Sequence, residues 1–360
     1  MIPAFYRSFL LLVLLFSAVA ASAQKIIDSQ DPHIRYQGRI GHKDGAAQLY
    51  WSGTSMEINF TGSTIKVLLK DERGENYFNI IIDGKITVLH PDTAKRLYTL
   101  ASNLRDGNHT LLLYKRTEFS DGYSIFYNFQ LEGKGEILTA SPQKNRAIEF
   151  YGNSITAGYA VEDFSGADSY LSRYKNNYIS YGALVARHYD ARYSFIAKSG
   201  IGVMFGYYNE NMGQIFDRLN PMDPNSKWDF NKYTPEIIVI NLFQNDASLM
   251  RQPTRPEFVA KFPNGPPEAP YIINAYKELL KSIRAKNPSA QIICALGSMD
   301  ATKEGSPWPG YIQSAVDQLN DKKVFVHMFA YKNTPGHPTI KEHQAMADDL
   351  IRFMDANIKW

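Results

Sequence analysis

The sequence predicts two folded units in tandem: an all-β sandwich or jelly roll, then an α/β unit whose parallel sheet is covered by helices on both faces. Three observations carry this prediction. Between residues 48 and 131 short β-rich runs recur, separated by turn signals and without a helical period. Beyond residue 146 apolar strand candidates alternate with helical stretches, the pattern of a parallel sheet. Between them Ser141-Pro-Gln-Lys-Asn145 fits neither pattern, which puts the boundary near residues 140–146, with units at 24–140 and 147–360.

Residues 1–23 read as a secretory leader. Arg7 is their only charge, residues 9–20 are apolar, and Ala21-Ser22-Ala23 is a cleavage signal before Gln24. The apolar run is too short and wrongly flanked for a membrane span, and no other stretch is apolar enough. The expectation is a soluble protein, secreted or periplasmic, cleaved after Ala23. Cys294 is the only cysteine and lies in an apolar run, where it reads as a small buried hydrophobe. With no disulfide, each unit must be held by its own core. No cysteine near the leader marks a lipid anchor.

In the first unit the strand candidates are residues 48–51, 56–60, 64–69, 77–82, 85–89, 97–100, 110–114 and 124–131. Several alternate apolar with polar residues, as half-buried strands do. Asp83-Gly84 is a hairpin signal, and Thr61-Gly62-Ser63 and Asp106-Gly107-Asn108 are turn clusters. Nothing in this half looks catalytic. The formal net charge of +3 argues against nucleic acid and anionic membranes as partners. Aromatic residues make up 13 % of the chain, with 23 Tyr against 4 Trp, a composition that permits stacking on sugar faces.

In the second unit the strand candidates are 147–151, 193–197, 236–240, 291–296 and 324–328, and the helical stretches are 178–189, 269–286, 311–319 and 339–358. The last helix carries Ile340, His343, Ala347, Leu350 and Met354 along one face, with Pro338 suited to its start.

Four polar or glycine-bearing segments follow four of these strands: Gly152-Asn153-Ser154, Lys198-Ser-Gly200-Ile-Gly202, Phe243-Gln-Asn245-Asp246 and Thr334-Pro-Gly-His337-Pro338. Strand ends gather them at one rim of the sheet, where open α/β folds bind ligands. Ser154 taken alone reads equally well as a helix N-cap. Together the segments supply a hydroxyl, an imidazole and candidate oxyanion donors, the parts acyl transfer needs.

The four segments resemble the sequence blocks of SGNH (GDSL-like) hydrolases, and a β-sandwich ahead of them is similar to carbohydrate esterase family 2, whose members deacetylate plant polysaccharides. The resemblance implies a flavodoxin-like sheet. It implies Ser154 as nucleophile and His337 as general base, then general acid. The oxyanion hole would be the N–H groups of Ser154 and Gly200 with the amide of Asn245; Gly202 replaces Gly200 if the second block is shifted by two. Otherwise Gly200 is a turn glycine and Asn245 a loop cap. Three residues depart from the family pattern. Asn153 stands for the usual Asp, Phe243 for a glycine, which predicts a bulkier wall beside Asn245, and Thr334 for the triad Asp. The last predicts a Ser–His dyad oriented by a backbone carbonyl. If an acid does contribute, Asp300 and then Asp246 are the candidates.

No G-x-S-x-G, H-E-x-x-H, G-x-G-x-x-G or P-loop occurs, so no metal and no cofactor is expected. Trp308, between two prolines, is either a sugar-stacking residue or a packing anchor. The leading expectation is an exported serine esterase removing O-acetyl groups from xylan- or glucomannan-type polysaccharide. The alternatives are an esterase for lipid, thioester or peptidoglycan acetyl groups, and a glycan-binding protein without catalysis.

Overall fold

The computed structural model describes residues 24–360, so the expected leader, residues 1–23, lies outside the described residues. The first unit contains β1 (Lys25–Asp28), β2 (Arg35–Gln37), β3 (Ile40–Lys43), β4 (Ala46–Leu49), β5 (Ser55–Thr61), β6 (Ile65–Asp71), β7 (Phe78–Ile82), β8 (Lys85–Leu89), β9 (Arg96–Ala101), β10 (Asn108–Lys115) and β11 (Ser124–Leu131). They form two antiparallel sheets. One runs β3-β4-β11-β6-β9, with β1 also on β11, and the other runs β2-β5-β10-β7-β8. Alternate residues of β5 and β6 (Met56, Ile58 and Phe60; Ile65, Val67 and Leu69) meet between the sheets and are buried there. The short strands β1 to β3 carry too few residues for a periodic signal and were not legible in the sequence.

The second unit contains β12 (Ala147–Gly152), α1 (Ser154–Ala157), α2 (Tyr181–His188), β13 (Arg192–Ala197), α3 (Met212–Ile215), β14 (Ile237–Asn241), α4 (Gln244–Met250), α5 (Pro256–Lys261), α6 (Ala269–Lys286), β15 (Gln291–Leu296), α7 (Trp308–Leu319), β16 (Val324–Met328) and α8 (Ile340–Asn357). The sheet is parallel throughout, in the order β13-β12-β14-β15-β16. This is the flavodoxin-like order, with its switch point between β12 and β14. Tyr151, Ile240 and Cys294 pack with Leu280 of α6 and Ile312 of α7 on one face. Phe150, Val239 and Ile293 pack with Val185 of α2 and Leu350 of α8 on the other. Burial pushes the Cys294 thiol up to about 12, consistent with an inert core residue.

The two units share their cores. Trp51 and Phe119 of the sandwich pack into the α6–α7 side, and Tyr114 into the α2–α8 side. Polar groups cross the boundary as well. Arg39 is 1 % exposed; its guanidinium meets Glu149 of β12 at 3.2 Å and donates to the Phe216 and Arg218 carbonyls at 2.7 and 2.9 Å. Thus the cation facing a buried carboxylate in an interior strand of the parallel sheet comes from the other unit.

Candidate active site

The rim predicted from the strand ends is present. Ser154 follows β12, residues 198–207 follow β13, and Asn245 lies in the first turn of α4 after β14; β12 is flanked by β13 and β14. Asn153, not Ser154, caps α1: its side-chain oxygen accepts the Ile155 N–H at 3.0 Å. Ser154 is therefore the first helical residue, its own N–H among those a helix leaves without an intrahelical acceptor and its hydroxyl free of the capping role. Ser154 Oγ lies 2.8 Å from His337 Nε2.

The dyad expectation is overturned. Asp168 faces the other side of the imidazole, with both carboxylate oxygens 2.9 Å from Nδ1, and Oδ1 accepts the His337 backbone N–H at 3.0 Å. Gly336 permits this approach: with φ at +69°, it lies where a Cβ would come within 3.1 Å of Asp168 Cγ. Burial alone would raise the Asp168 carboxyl, but the hydrogen bonds and charge of His337 outweigh it and hold it below the usual range. Tyr159 closes the site beside the imidazole, its ring centroid 4.5 Å from that of His337. Sequence reasoning missed Asp168 because it sits on an irregular loop 169 residues before His337, where no periodicity reports on position.

The acids suspected from sequence do other work. Asp300 accepts from Gln244 and pairs with Arg251. Asp246 is fully buried and accepts the N–H groups of Val203, Met204 and Phe205 at 2.9, 2.8 and 3.3 Å, so it anchors the loop after β13. Burial pushes its carboxyl up to about 6 against these donors. Thr334 braces the loop before α8, taking a bond from Lys332 and giving one to Glu342.

Gly200 has φ +78° and is half-buried at the rim, and its N–H meets no acceptor among the described residues. Gly202 is turned inward, where a Cβ would meet the Phe205 carbonyl at 1.9 Å and Asp246 at 2.5 Å. The Gly202 N–H likewise meets no acceptor among the described residues, but Gly202 is buried whereas Gly200 is half-buried at the rim. Asn245 donates one amide hydrogen to the Ile201 carbonyl at 2.7 Å, which orients the amide and leaves its second hydrogen.

The expectation for Phe243 is corrected, and of the two readings of Trp308 the packing one fits. The Phe243 ring does not form a wall beside Asn245; it is buried between Tyr276 and Trp308, at centroid distances of 4.8 and 5.0 Å. Trp308 is 6 % exposed and packs on Phe243 and Tyr311, so it is a packing anchor without an open face for a sugar. On the loop that carries Asp168, Phe164 and Tyr170 are 84 % and 76 % exposed, and Tyr208, beside Gly200, is 46 % exposed.

Comparison with known proteins accords with this layout. Residues 36–142 match the Carbohydrate esterase 2 N-terminal family, and residues 150–323 match the GDSL-like Lipase/Acylhydrolase family. The structure of a family two carbohydrate esterase from Clostridium thermocellum, solved with cellohexaose, is 31 % identical; the match covers 90 % of this chain and 98 % of that one, with a TM-score of 0.80. The chain belongs to carbohydrate esterase family 2. Among curated relatives in or near this family, the Cellulase/esterase CelE of Acetivibrio thermocellus is 34 % identical over 92 % of this chain, which spans only 40 % of that protein's length. An Acetylxylan esterase / glucomannan deacetylase of Cellvibrio japonicus is 25 % identical, and the match covers 94 % of this chain and 93 % of that protein. The GDSL-like match ends before His337, so the local geometry at that residue rests on the structure of this chain.

Proposed function

We infer that this family 2 member is an exported carboxylic ester hydrolase that removes O-acetyl groups from plant polysaccharide of the xylan or glucomannan type. The observation that carries the reading is the continuous chain Asp168–His337–Ser154, with contacts of 2.9 and 2.8 Å. In the proposed reaction Ser154 Oγ attacks the acetyl carbonyl carbon while His337 Nε2 takes the hydroxyl proton. The carbonyl oxygen gains negative charge, which the N–H groups of Ser154 and Gly200 and the Asn245 amide stabilise. Collapse breaks the bond to the sugar oxygen, which receives the proton from His337. Water then attacks the acetyl-serine, His337 takes a proton from it, and acetate leaves with Ser154 restored. Asp168 holds the imidazole in the tautomer that accepts at Nε2 and faces its positive charge.

The polysaccharide substrate is supported by the family membership, by the relatives' names and by the exposed Phe164 and Tyr170 on the loop that carries Asp168. Export rests on residues 1–23; among the described residues no helix is long and apolar enough to cross a membrane. The test is a nitrophenyl ester series of increasing chain length, followed by acetate release from acetylated xylan, glucomannan and peptidoglycan, with Ser154→Ala as control. Preference for the acetyl ester and for the plant polymers is expected. Faster turnover of long acyl chains, or of peptidoglycan, would replace the substrate assignment. No turnover with retained glycan binding would replace the enzymatic one.

A further inference from the structure

Glu118 belongs to the sandwich unit, in the turn between β10 and β11, and is 1 % exposed. Its carboxylate reaches across the boundary to the loop after β13. One oxygen accepts the Ser199 N–H at 2.8 Å and the other the Ser199 hydroxyl at 2.6 Å. The charge is compensated by Lys175, 3.3 Å from Glu118 and 2.7 Å from Asp121, so the cluster does not leave an isolated anion beside an oxyanion site. Ser199 immediately precedes Gly200, whose N–H is open. From the far side Asp246 holds three consecutive N–H groups of the same loop. The loop is thus clamped by two carboxylates, one from each unit, and Gly200 lies between the clamps.

We propose that Glu118 is a positioning residue that sets the Gly200 N–H toward the developing oxyanion, making the sandwich unit part of the catalytic apparatus. The physical basis is that an N–H donor contributes to catalysis only when its direction is fixed before charge develops. The two Ser199 contacts fix the peptide preceding that donor. Without them the Ser199–Gly200 peptide can rotate and turn the N–H away at small cost, since Gly200 tolerates many backbone conformations. This inference rests on the esterase reading and extends it to a residue that touches neither substrate nor nucleophile.

The test uses the full chain with Glu118→Gln and Ser199→Ala, separately and combined. A fluorophosphonate titrates reactive Ser154, and a methylboronic acid serves as a tetrahedral adduct mimic. For Glu118→Gln the expected result is a kcat per titrated site lower by about tenfold or more, below the 10²–10³ limit for loss of a whole donor. KM should change by less than about threefold, and boronate affinity should fall in parallel with kcat. Ser199→Ala, which leaves the buried ion pair in place, should lower kcat by a smaller factor, and the double variant should lose less than the product of the two. If Glu118→Gln does not fold, Ser199→Ala alone decides: unchanged kcat and boronate affinity would overturn the proposal. A lower thermal midpoint with unchanged kcat per titrated site would equally overturn it, leaving Glu118 a stabilising residue only. Failure of the esterase reading looks different, because the wild-type protein would then neither hydrolyse acetyl esters nor react at Ser154.

Discussion

At Gly336 a side chain would crowd the carboxylate that stands against His337 Nδ1, since a Cβ would lie 3.1 Å from Asp168 Cγ. Gly336→Ala should therefore lower activity through Asp168, beyond the loss of about 1–2 kcal/mol in stability that a side chain at φ +69° costs. Under the proposed mechanism Asp168→Asn leaves the geometry in place but favours the wrong imidazole tautomer, and kcat should fall by about 10⁴ in folded protein. Thr334→Asp should not compensate, because Thr334 faces Lys332 and Glu342. A loss below tenfold in Asp168→Asn would restore the dyad. Asn245→Ala should act differently, lowering kcat by about 10²–10³ with little effect on KM, since an oxyanion donor works in the transition state. A change confined to KM would make Asn245 a ground-state binding residue. Single-turnover kinetics on an acetyl ester separates these outcomes.

Among the elements, α4 and α8 show how a local departure is compensated by packing. Phe243 begins α4 with φ +85°, a conformation in which glycine is at ease and an L side chain costs about 1–2 kcal/mol. Its ring fills the space between Tyr276 and Trp308, and emptying such a site costs about 3–5 kcal/mol. Phe243→Gly should therefore be less stable by roughly 1–4 kcal/mol in urea unfolding, despite relief of backbone strain. In α8, His343 is completely buried, and its Nδ1 accepts the Tyr181 N–H at 3.2 Å, one of the donors left open at the start of α2. Burial, with the neighbouring His337, pushes its pKa down from 6.5 to about 3. Below pH 6.5 the unfolded chain binds a proton here that the folded chain refuses, so stability falls as pH drops from 6.5 toward 3. The slope from this residue is up to about 1.4 kcal/mol per pH unit. His343→Gln, which cannot titrate, should flatten that part of the stability–pH profile; an unchanged slope would assign it to other groups.

For the whole molecule, the units are distinct in topology but not in their cores. Expressing residues 146–360 alone would strand Glu149 in β12 without Arg39 and expose the surfaces covered by Trp51 and Tyr114. Breaking one partner of a buried ion pair costs about 3–5 kcal/mol, a large part of an ordinary domain's stability. The fragment is therefore expected to be insoluble or unfolded by circular dichroism, and Arg39→Met in the full chain to lose about 3–5 kcal/mol. A folded, fully active fragment would show that the sandwich is dispensable for the chemistry. Protein recovered from the medium or periplasm should begin at Gln24 on N-terminal sequencing, and a retained Met1 would refute export by cleavage.

The sequence by itself determined what repeats or follows a strand. Period-two runs produced the long strands of the sandwich, and apolar runs alternating with helical stretches produced the parallel sheet. The segments that carry Ser154, Gly200, Asn245 and His337 were legible because the end of a parallel strand is a fixed address on the rim, and the family resemblance singled out those residues within them. Tertiary structure alone decided contacts between segments with no common period. Asp168 reaches His337 from an irregular loop, Glu118 reaches Ser199 from another unit, and Phe243 with Trp308 turns inward where sequence left each beside the site. Periodicity records which face of an element a residue occupies, whereas the partner met across a loop or a unit boundary depends on how whole elements pack, and a single sequence carries no local signal of that.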